Sequence, residues 1–442
     1  MKFTENPKSI MTNQDTPKTN RRDFIRAGAT ATTMAALASQ PYAFGVHQKS
    51  EDKLKVGLIG CGGRGTQAVH QCLSAAPNVE LYALADFFSD KIEETKEKLK
   101  NGFQSFRSIT KKVSVSKERE FTGFDAYKKL LATDIDVVIL ATQPGFRPIH
   151  FEAAIEAGKH VFMEKPVAVD PVGVRKIIAV SELARQKNLT VVAGTQRRHM
   201  DSYTENMKRI HDGEIGELRG GDCYFNWGKK IDRDEQNPAW SEMEFQIRNW
   251  YFHSWGSGDC LVEQAIHQID VMNWAFGGPP VSAIGMGGLE QVHDYGNIYD
   301  HFAIIYEYPN GARVTAMSSQ IPGSSVRIGQ NIVGAKGTST GEKISGVNSW
   351  KAEYRHHLTG QEQEHVDLIH SIRGEGPYLN TGKRIAESTL TAILGRMSAY
   401  TGRMISYNWA LNGSQLDLTP AKWEIGDNPL PTRPVPGKEK LV

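Results

Sequence analysis

The chain has 442 residues, more than a single hydrophobic core usually serves, so two domains are expected. Hydrophobic residues at 39% and charged residues at 23% are the composition of an ordinary soluble globular protein with ample material for a core. The formal charge is +2, and the first 38 residues hold six Lys/Arg against three Asp/Glu; the remainder carries 46 basic and 47 acidic residues, which leaves no basic excess to argue for nucleic acid.

The chain opens on an address. "TNRRDFIRAGATATTMAALAS" has twin arginines (Arg21, Arg22), a mildly apolar run over 27–38, and Ala-Leu-Ala before Ser39. The run is too short and too rich in Thr to span a bilayer, so no membrane span is expected. The pattern predicts a twin-arginine signal peptide over 1–38, cleaved to leave Ser39 at the mature N-terminus, and a periplasmic or otherwise exported protein. A linker over 39–53 follows.

From Leu54 strands and helices alternate. "LKVGLIG" is a continuous apolar run, 66–75 is helix-like, "VELYALAD" is a second strand, and 91–101 is a charged helix. "DIDVVILAT" is a third strand, 148–157 a helix, "KHVFMEK" a fourth strand, 171–187 a helix, and "LTVVAGTQRRH" a last strand. Such alternation predicts parallel pairing with right-handed crossovers, and ligands collecting at the carboxyl ends of the strands. The expected fold is α/β: a doubly wound Rossmann domain over 54–192, then an α/β domain over 193–405 with a large open, mostly antiparallel sheet. Strands of the second domain are expected at 216–227, 281–289, 301–308, 312–320 and 326–333, with turn signals such as "YPNGAR" between them. Helices are expected at 361–372 and 383–399, and 406–442 is a Pro-rich extension that wraps the surface or stays loose. An open sheet needs its face covered, which predicts a homodimer or homotetramer.

"GLIGCGGRGTQAV" contains G-x-G-x-x-G at Gly60, Gly62 and Gly65, directly after a strand and opening a helix. Gly60 permits a tight turn, Gly62 lets backbone N–H groups approach a pyrophosphate, and Gly65 allows close packing of the helix, whose N-terminus faces the phosphates. Gly63 and Arg64 lie in the same loop, and Arg64 is a candidate phosphate contact. The second strand ends on Asp86, where an acid accepts hydrogen bonds from the adenosine ribose and repels a 2′-phosphate, so NAD is expected in preference to NADP. Thr142, at the exit of the third strand, is a further candidate cofactor contact. The four cysteines (Cys61, Cys72, Cys223, Cys260) have no paired spacing, which gives no support for a zinc site or a disulfide framework.

Gly60 to Gly65, Asp86, "AGKHVFMEKP" and "GDCLVEQAIHQID" together resemble the glucose-fructose oxidoreductase and inositol dehydrogenase family (Gfo/Idh/MocA), from Leu54 to about Tyr400. The resemblance implies a nicotinamide cofactor and sugar or polyol substrates. It places Lys165 beside the nicotinamide and the substrate hydroxyl, where its charge stabilises alkoxide character. Glu164 then orients the nicotinamide side or the lysine, and Pro166 fixes the backbone at the strand exit. It also assigns His267 as general base. Glu263, His267 and Asp270, spaced by four and three, are expected on one helix face, with Glu263 standing where the family often has Asp and orienting the imidazole as a neighbouring carboxylate. Asp270 is read as structural. Glu-x-x-x-His also suits a metal, but there is no obvious third ligand, so no metal is expected. "ATQPGFRP" departs from the Pro-Asn-His of the commoner family loop at Gln143, Pro144 and Gly145.

Aromatic faces alternating with polar groups suit a sugar ring. They occur in "TQRRH" with Tyr203 and in "RNWYFHSW", and Gln196, Arg198, Tyr203, Trp250, Tyr251 and His267 are the expected substrate contacts. The expected activity is oxidation of a secondary hydroxyl of a sugar, sugar derivative or polyol by a tightly held nicotinamide. The alternative is redox-neutral glycoside cleavage through a keto-sugar; the family's glycosidase-like members differ at the EKP site, which this chain keeps. A non-catalytic nucleotide-binding protein is a third possibility, disfavoured by the presence of both Lys165 and His267.

Overall fold

Four apolar runs form the centre of the first sheet. β1 (Leu54–Ile59), β4 (Val137–Leu140), β5 (His160–Met163) and β6 (Val191–Ala193) are buried almost throughout, as befits parallel strands covered on both faces. With β2 (Val79–Asp86) and β3 (Glu120–Thr122) they run in the order β3-β2-β1-β4-β5-β6, every pairing parallel. The strand order reverses direction between β1 and β4, which opens a crevice at the carboxyl ends. The connections carry α1 (Gly63–Ala75), α2 (Ser89–Asn101), α3 (Ala126–Leu131), α4 (Arg147–Glu156) and α5 (Pro171–Gln186). The start of α5 is set by Asp170, whose carboxylate accepts from the Gly173 N–H at 2.7 Å, with Pro171 in the first turn. This computed structural model describes residues 52–228, 234–235, 237–290, 295–353 and 358–442; the twin-arginine segment lies outside the described residues.

After α6 (Asp201–His211) the chain builds a nine-stranded sheet. Its main strands are β7 (Leu218–Asn226), β8 (Ser282–Gly288), β9 (His301–Glu307), β10 (Arg313–Ser319) and β11 (Arg327–Gly334). Short strands extend it: β12 (Gly337–Ser339), β13 (Lys343–Gly346), β14 (Trp350–Lys351) and β15 (Ile405–Ser406). The order is β14-β13-β12-β11-β7-β10-β9-β8-β15, antiparallel except where β7 meets β10. The fold is therefore a Rossmann-type parallel sheet followed by a mostly antiparallel one, as the pattern of the sequence predicts.

Between β7 and β8 come α7 (Glu242–Arg248), α8 (Ser254–Ser257), α9 (Cys260–Glu263) and α10 (Ile266–Ala275). Two long helices follow the sheet, α11 (Gly360–Arg373) and α12 (Gly382–Thr401), and then α13 (Tyr407–Asn412). One face of the large sheet packs on α10 and α12, with Phe302, Ile304, Tyr306, Val314 and Ala316 turned into that core. The other face leaves Ile284, Met286, Ile305, Met317 and Ile328 in solvent, Met286 at 73% exposure. Although α11 follows the second sheet in the chain, its Leu368, Ile369 and Ile372 join the core of the first, beside α1. Its N-terminus carries a reciprocal cap between Thr359 and Glu362.

The Pro-rich extension lies along the surface. The Leu418 N–H donates to Asp170 at 2.8 Å, Trp423 packs 4.4 Å from the Phe146 ring, and the Tyr299 hydroxyl donates to Pro434 O. Among the described residues no helix is long and apolar enough to cross a membrane.

Candidate active site

A cavity of about 640 Å³ lies at the carboxyl ends of β1, β2, β4, β5 and β6 and is closed from the other side by α9, α10 and the segment around α7. Five of the six strands of the first sheet deliver their exits to this cavity: Gly60 to Gly65 after β1, Asp86 to Phe88 after β2, Ala141 to Pro144 after β4, Glu164 and Lys165 after β5, Gly194 and Gln196 after β6.

The glycine loop is shaped for a close-lying anion. Gly60 has φ +100°, and a Cβ there would sit 2.5 Å from Thr142 N; a Cβ on Gly65 would sit 1.9 Å from Gly60 O, so α1 packs directly on the turn. At Gly62 and Gly63 a Cβ would meet nothing within 4 Å, so the backbone at the N-terminus of α1 faces open space. Two positions that exclude side chains and two that leave the backbone bare fit a dinucleotide pyrophosphate.

Asp86 both lines the cavity and ties the loop. Its carboxylate accepts from Cys61 N at 2.6 Å and from Phe88 N at 3.0 Å, while burial pushes its pKa up. Each oxygen keeps acceptor capacity for a ribose hydroxyl. Arg64 is committed within the protein: its Nε donates to Glu164 at 2.6 Å, Nη1 to Gln71 at 2.9 Å, and Nη2 lies 3.5 Å from Glu364. Arg64 therefore joins the glycine loop to the residue before Lys165. Thr142 lines the cavity, and its hydroxyl pairs with His150 at 3.1 Å. Arg147, fully buried, donates to Leu140 O and to Thr142 O, and burial lowers its pKa to about 10. It braces the end of β4 from beneath, a task with no signature in the sequence.

Lys165 crosses the seam between the two sheets. Its ammonium donates to Glu263 O at 2.6 Å and to Glu263 Oε1 at 2.8 Å, and both side chains are 12% exposed. The Lys165–Pro166 peptide bond is cis. His267 lines the same cavity, and its pKa lies well below the ordinary value because of burial first and then the charges of Lys165, Arg197 and Arg64. The imidazole is thus neutral near pH 7, the form that accepts a proton.

Four expectations are corrected here. Glu263 and His267 do not share one helix: α9 ends at Glu263 and α10 begins at Ile266, so the chain turns between them and the Glu263 carboxylate faces Lys165 rather than the imidazole. Arg198 is held by Asp270, at 2.8 and 2.9 Å, and stacks 4.5 Å from Trp274 outside the cavity. Burial would raise the Asp270 carboxyl, but Arg198 beside it keeps it below its ordinary value. Tyr203 sits in the core with its hydroxyl accepting from Gln330 at 3.0 Å, and Tyr251 is buried with its hydroxyl on Gln320. Polar tips on these aromatics serve internal hydrogen bonds, which alternation in sequence cannot distinguish from a sugar-binding wall. Gln196 and Trp250 do line the cavity.

Residues absent from the sequence reading also reach the cavity. Glu364 and Gln361 come from α11, whose helical periodicity carries no sign of the sheet it packs on. Arg248, read from sequence with the sugar-facing aromatics, stands instead over Phe88, next to Asp86.

Two family models match the chain: the NAD-binding Rossmann fold of the GFO/IDH/MocA oxidoreductases over residues 54–195, and the C-terminal domain of the same family over 203–340. The chain belongs to the Gfo/Idh/MocA family. It is an NAD-binding oxidoreductase, and the glycine loop is the part of the structure that fits the cofactor. Inositol 2-dehydrogenase 3 of Saccharopolyspora erythraea is 24% identical over 337 residues, 73% of this chain and 87% of that protein. A glycosyl hydrolase family 109 protein of Shewanella pealeana is 26% identical over 377 residues, 80% of this chain and 78% of that one. Among solved structures, aldose-aldose oxidoreductase from Caulobacter crescentus, complexed with glycerol, shares the fold with a TM-score of 0.62 at 16% identity, covering 80% of this chain and 99% of its own.

Gly65→Ala forces the helix away from the turn, and we expect NAD affinity to fall about ten- to hundredfold in titration calorimetry. Unchanged affinity would remove the loop from the cofactor site.

Proposed function

We propose that the protein oxidises a secondary hydroxyl of a sugar, sugar derivative or polyol. The observation that carries this reading is the meeting of Lys165 and His267, one from each half of the molecule, in the cavity that begins at the glycine loop. When bound, the nicotinamide supplies the two-electron acceptor for the carbinol hydrogen. His267 takes the hydroxyl proton on a ring nitrogen, since its lowered pKa leaves the imidazole neutral at working pH. The Lys165 ammonium stabilises the developing alkoxide, and Glu263 keeps that ammonium in place through its carboxylate and carbonyl. Gln196 and Trp250 offer an amide and an aromatic face to the substrate. The inositol dehydrogenase relative and the aldose-aldose oxidoreductase neighbour support a polyhydroxylated substrate.

Alanine at Lys165 or at His267 is expected to lower turnover about 10²- to 10⁴-fold while NAD still binds. Protonation of His267 removes the base, so kcat/KM falls as pH drops, and that fall is expected below the ordinary histidine value of about 6.5. Full turnover in both variants would refute the assigned roles.

A second reading is favoured by the family 109 relative. Oxidation beside a ring C–H acidifies it; loss of that proton with expulsion of the aglycone, addition of water across the new double bond and return of the two electrons amount to hydrolysis without net redox. Incubation with a glycoside and no added NAD separates the two. Released aglycone with unmodified sugar supports cleavage, whereas keto-sugar in amounts equal to the reduced bound cofactor supports the dehydrogenase.

We further infer export by the twin-arginine route from Arg21, Arg22 and the apolar run behind them, with the cofactor acquired before export and retained between turnovers. N-terminal sequencing of exported material that begins at Met1 would contradict cleavage after Ala38. The exposed apolar face of the large sheet, centred on Met286 and Ile284, is proposed to pair with a second copy. Light scattering is expected to give a dimer or tetramer that Met286→Lys weakens; a monomer in the unmodified protein would exclude it.

A further inference from the structure

Arg248 does not behave as a surface side chain. It ends α7, in the second half of the molecule, yet its guanidinium lies 3.7 Å over the ring of Phe88 and 3.3 Å from Asp90, both in the nucleotide-binding half. Trp240 flanks it at 4.7 Å and Glu244 accepts from its Nε at 3.1 Å, leaving the side chain 14% exposed. Phe88 lies two residues past Asp86, at the end of the cavity where the fold places the adenosine ribose, and Arg248 lines that end from the opposite side.

We propose that Arg248 is a cofactor-retaining residue: it latches α7 across the ribose end of the nucleotide cleft and slows release of the dinucleotide. This rests on nucleotide binding at the glycine loop and gives a physical basis to the retained cofactor proposed above. An ion pair to an exposed Asp90 contributes little by itself. A guanidinium pressed between two aromatic faces and shielded from water contributes more, because the ring quadrupole attracts a cation that has lost part of its hydration.

The latch needs a firm post, and the C-terminal extension supplies it. The Gln246 amide, two residues before the end of α7, exchanges two hydrogen bonds with Asn428, at 2.5 and 2.7 Å. The Met243 N–H donates to Gly426 O at 3.0 Å, and the Trp255 indole donates to Gln246 at 2.8 Å. Trp423 then packs on Phe146, which itself lies 4.6 Å from Phe87 on the wall of the cleft. The tail thus holds α7 against the nucleotide half, so opening the cleft at this end requires Arg248 to leave Phe88 and Asp90.

The test is the dissociation rate of NADH, loaded on the full-length protein without any sugar and chased with excess NAD⁺ in a stopped-flow fluorimeter. Arg248→Ala is expected to speed release about tenfold. Asp90→Asn, an exposed change that spares the fold, is expected to speed it a few-fold, and the double variant to be no faster than Arg248→Ala alone. Circular dichroism of each variant establishes that it is folded. Release from folded Arg248→Ala within twofold of the unmodified protein overturns the proposal, as does full additivity in the double variant. Because no sugar is present, a wrong substrate assignment leaves this result standing, whereas failure of the unmodified protein to bind NADH would overturn the nucleotide site and the latch together.

Discussion

An ammonium at the end of β5 is gripped by one residue of the opposite half, and the rest of the site takes its position from that junction. Glu263 offers Lys165 both a carboxylate oxygen and its own backbone carbonyl. Removing one partner from a largely buried ion pair leaves an uncompensated charge, which in general costs about 3–5 kcal/mol, so neither member can be exchanged lightly. The second contact, to a carbonyl, matters as much as the first. It fixes the ammonium to the backbone of α9 rather than to a movable side chain alone, and so ties the end of β5 to the second half of the molecule.

The junction is possible because the helix carrying it is broken. In an unbroken helix Glu263 and His267 would stack one turn apart on the same face. The turn between α9 and α10 separates them, so the carboxylate serves Lys165 while the imidazole lines the cavity. Asp259 sets up this geometry from the other end. It begins α9 at φ +83°, fully buried, and its carboxylate takes the N–H groups of Cys260 and Tyr299 and the hydroxyl of Tyr400; burial raises its pKa to about 6. Three donors on one buried side chain anchor a helix of four residues that has little stability of its own.

The first sheet was legible because buried parallel strands read as unbroken apolar runs and its glycine loop has a fixed spacing. The antiparallel strands β7 to β11 showed alternation and turn residues. What could not be read had physical reasons. β3, β12, β13, β14 and β15, of two to four residues, offer neither an unbroken apolar run nor enough repeats of the strand period to show alternation. The charge and aromatic content of Arg198, Tyr203 and Tyr251 suits a sugar wall, yet their partners, Asp270, Gln330 and Gln320, lie 69 to 127 positions away in the chain. The placing of Lys165 and His267 in one cavity was legible from motif, but the pairing of Glu263 with Lys165 was not, since spacing alone implies a continuous helix.

By packing on the first sheet, α11 also brings a carboxyl group to the glycine loop. Arg64, at the glycine loop, faces two carboxyl groups, Glu164 at 2.6 Å and Glu364 at 3.5 Å. Glu164 holds the shorter contact. Glu364 is 1% exposed, and burial first, then the neighbouring Glu164, raises its pKa well above the ordinary value. A second buried negative charge beside a loop whose backbone is arranged to receive phosphates opposes the ligand it is shaped for, and the raised pKa of Glu364 works against that charge. α11 thus brings a carboxyl of raised pKa to the glycine loop from the far end of the chain, with its Oε1 3.5 Å from Arg64 and its Oε2 buried without a hydrogen-bond partner among the described residues.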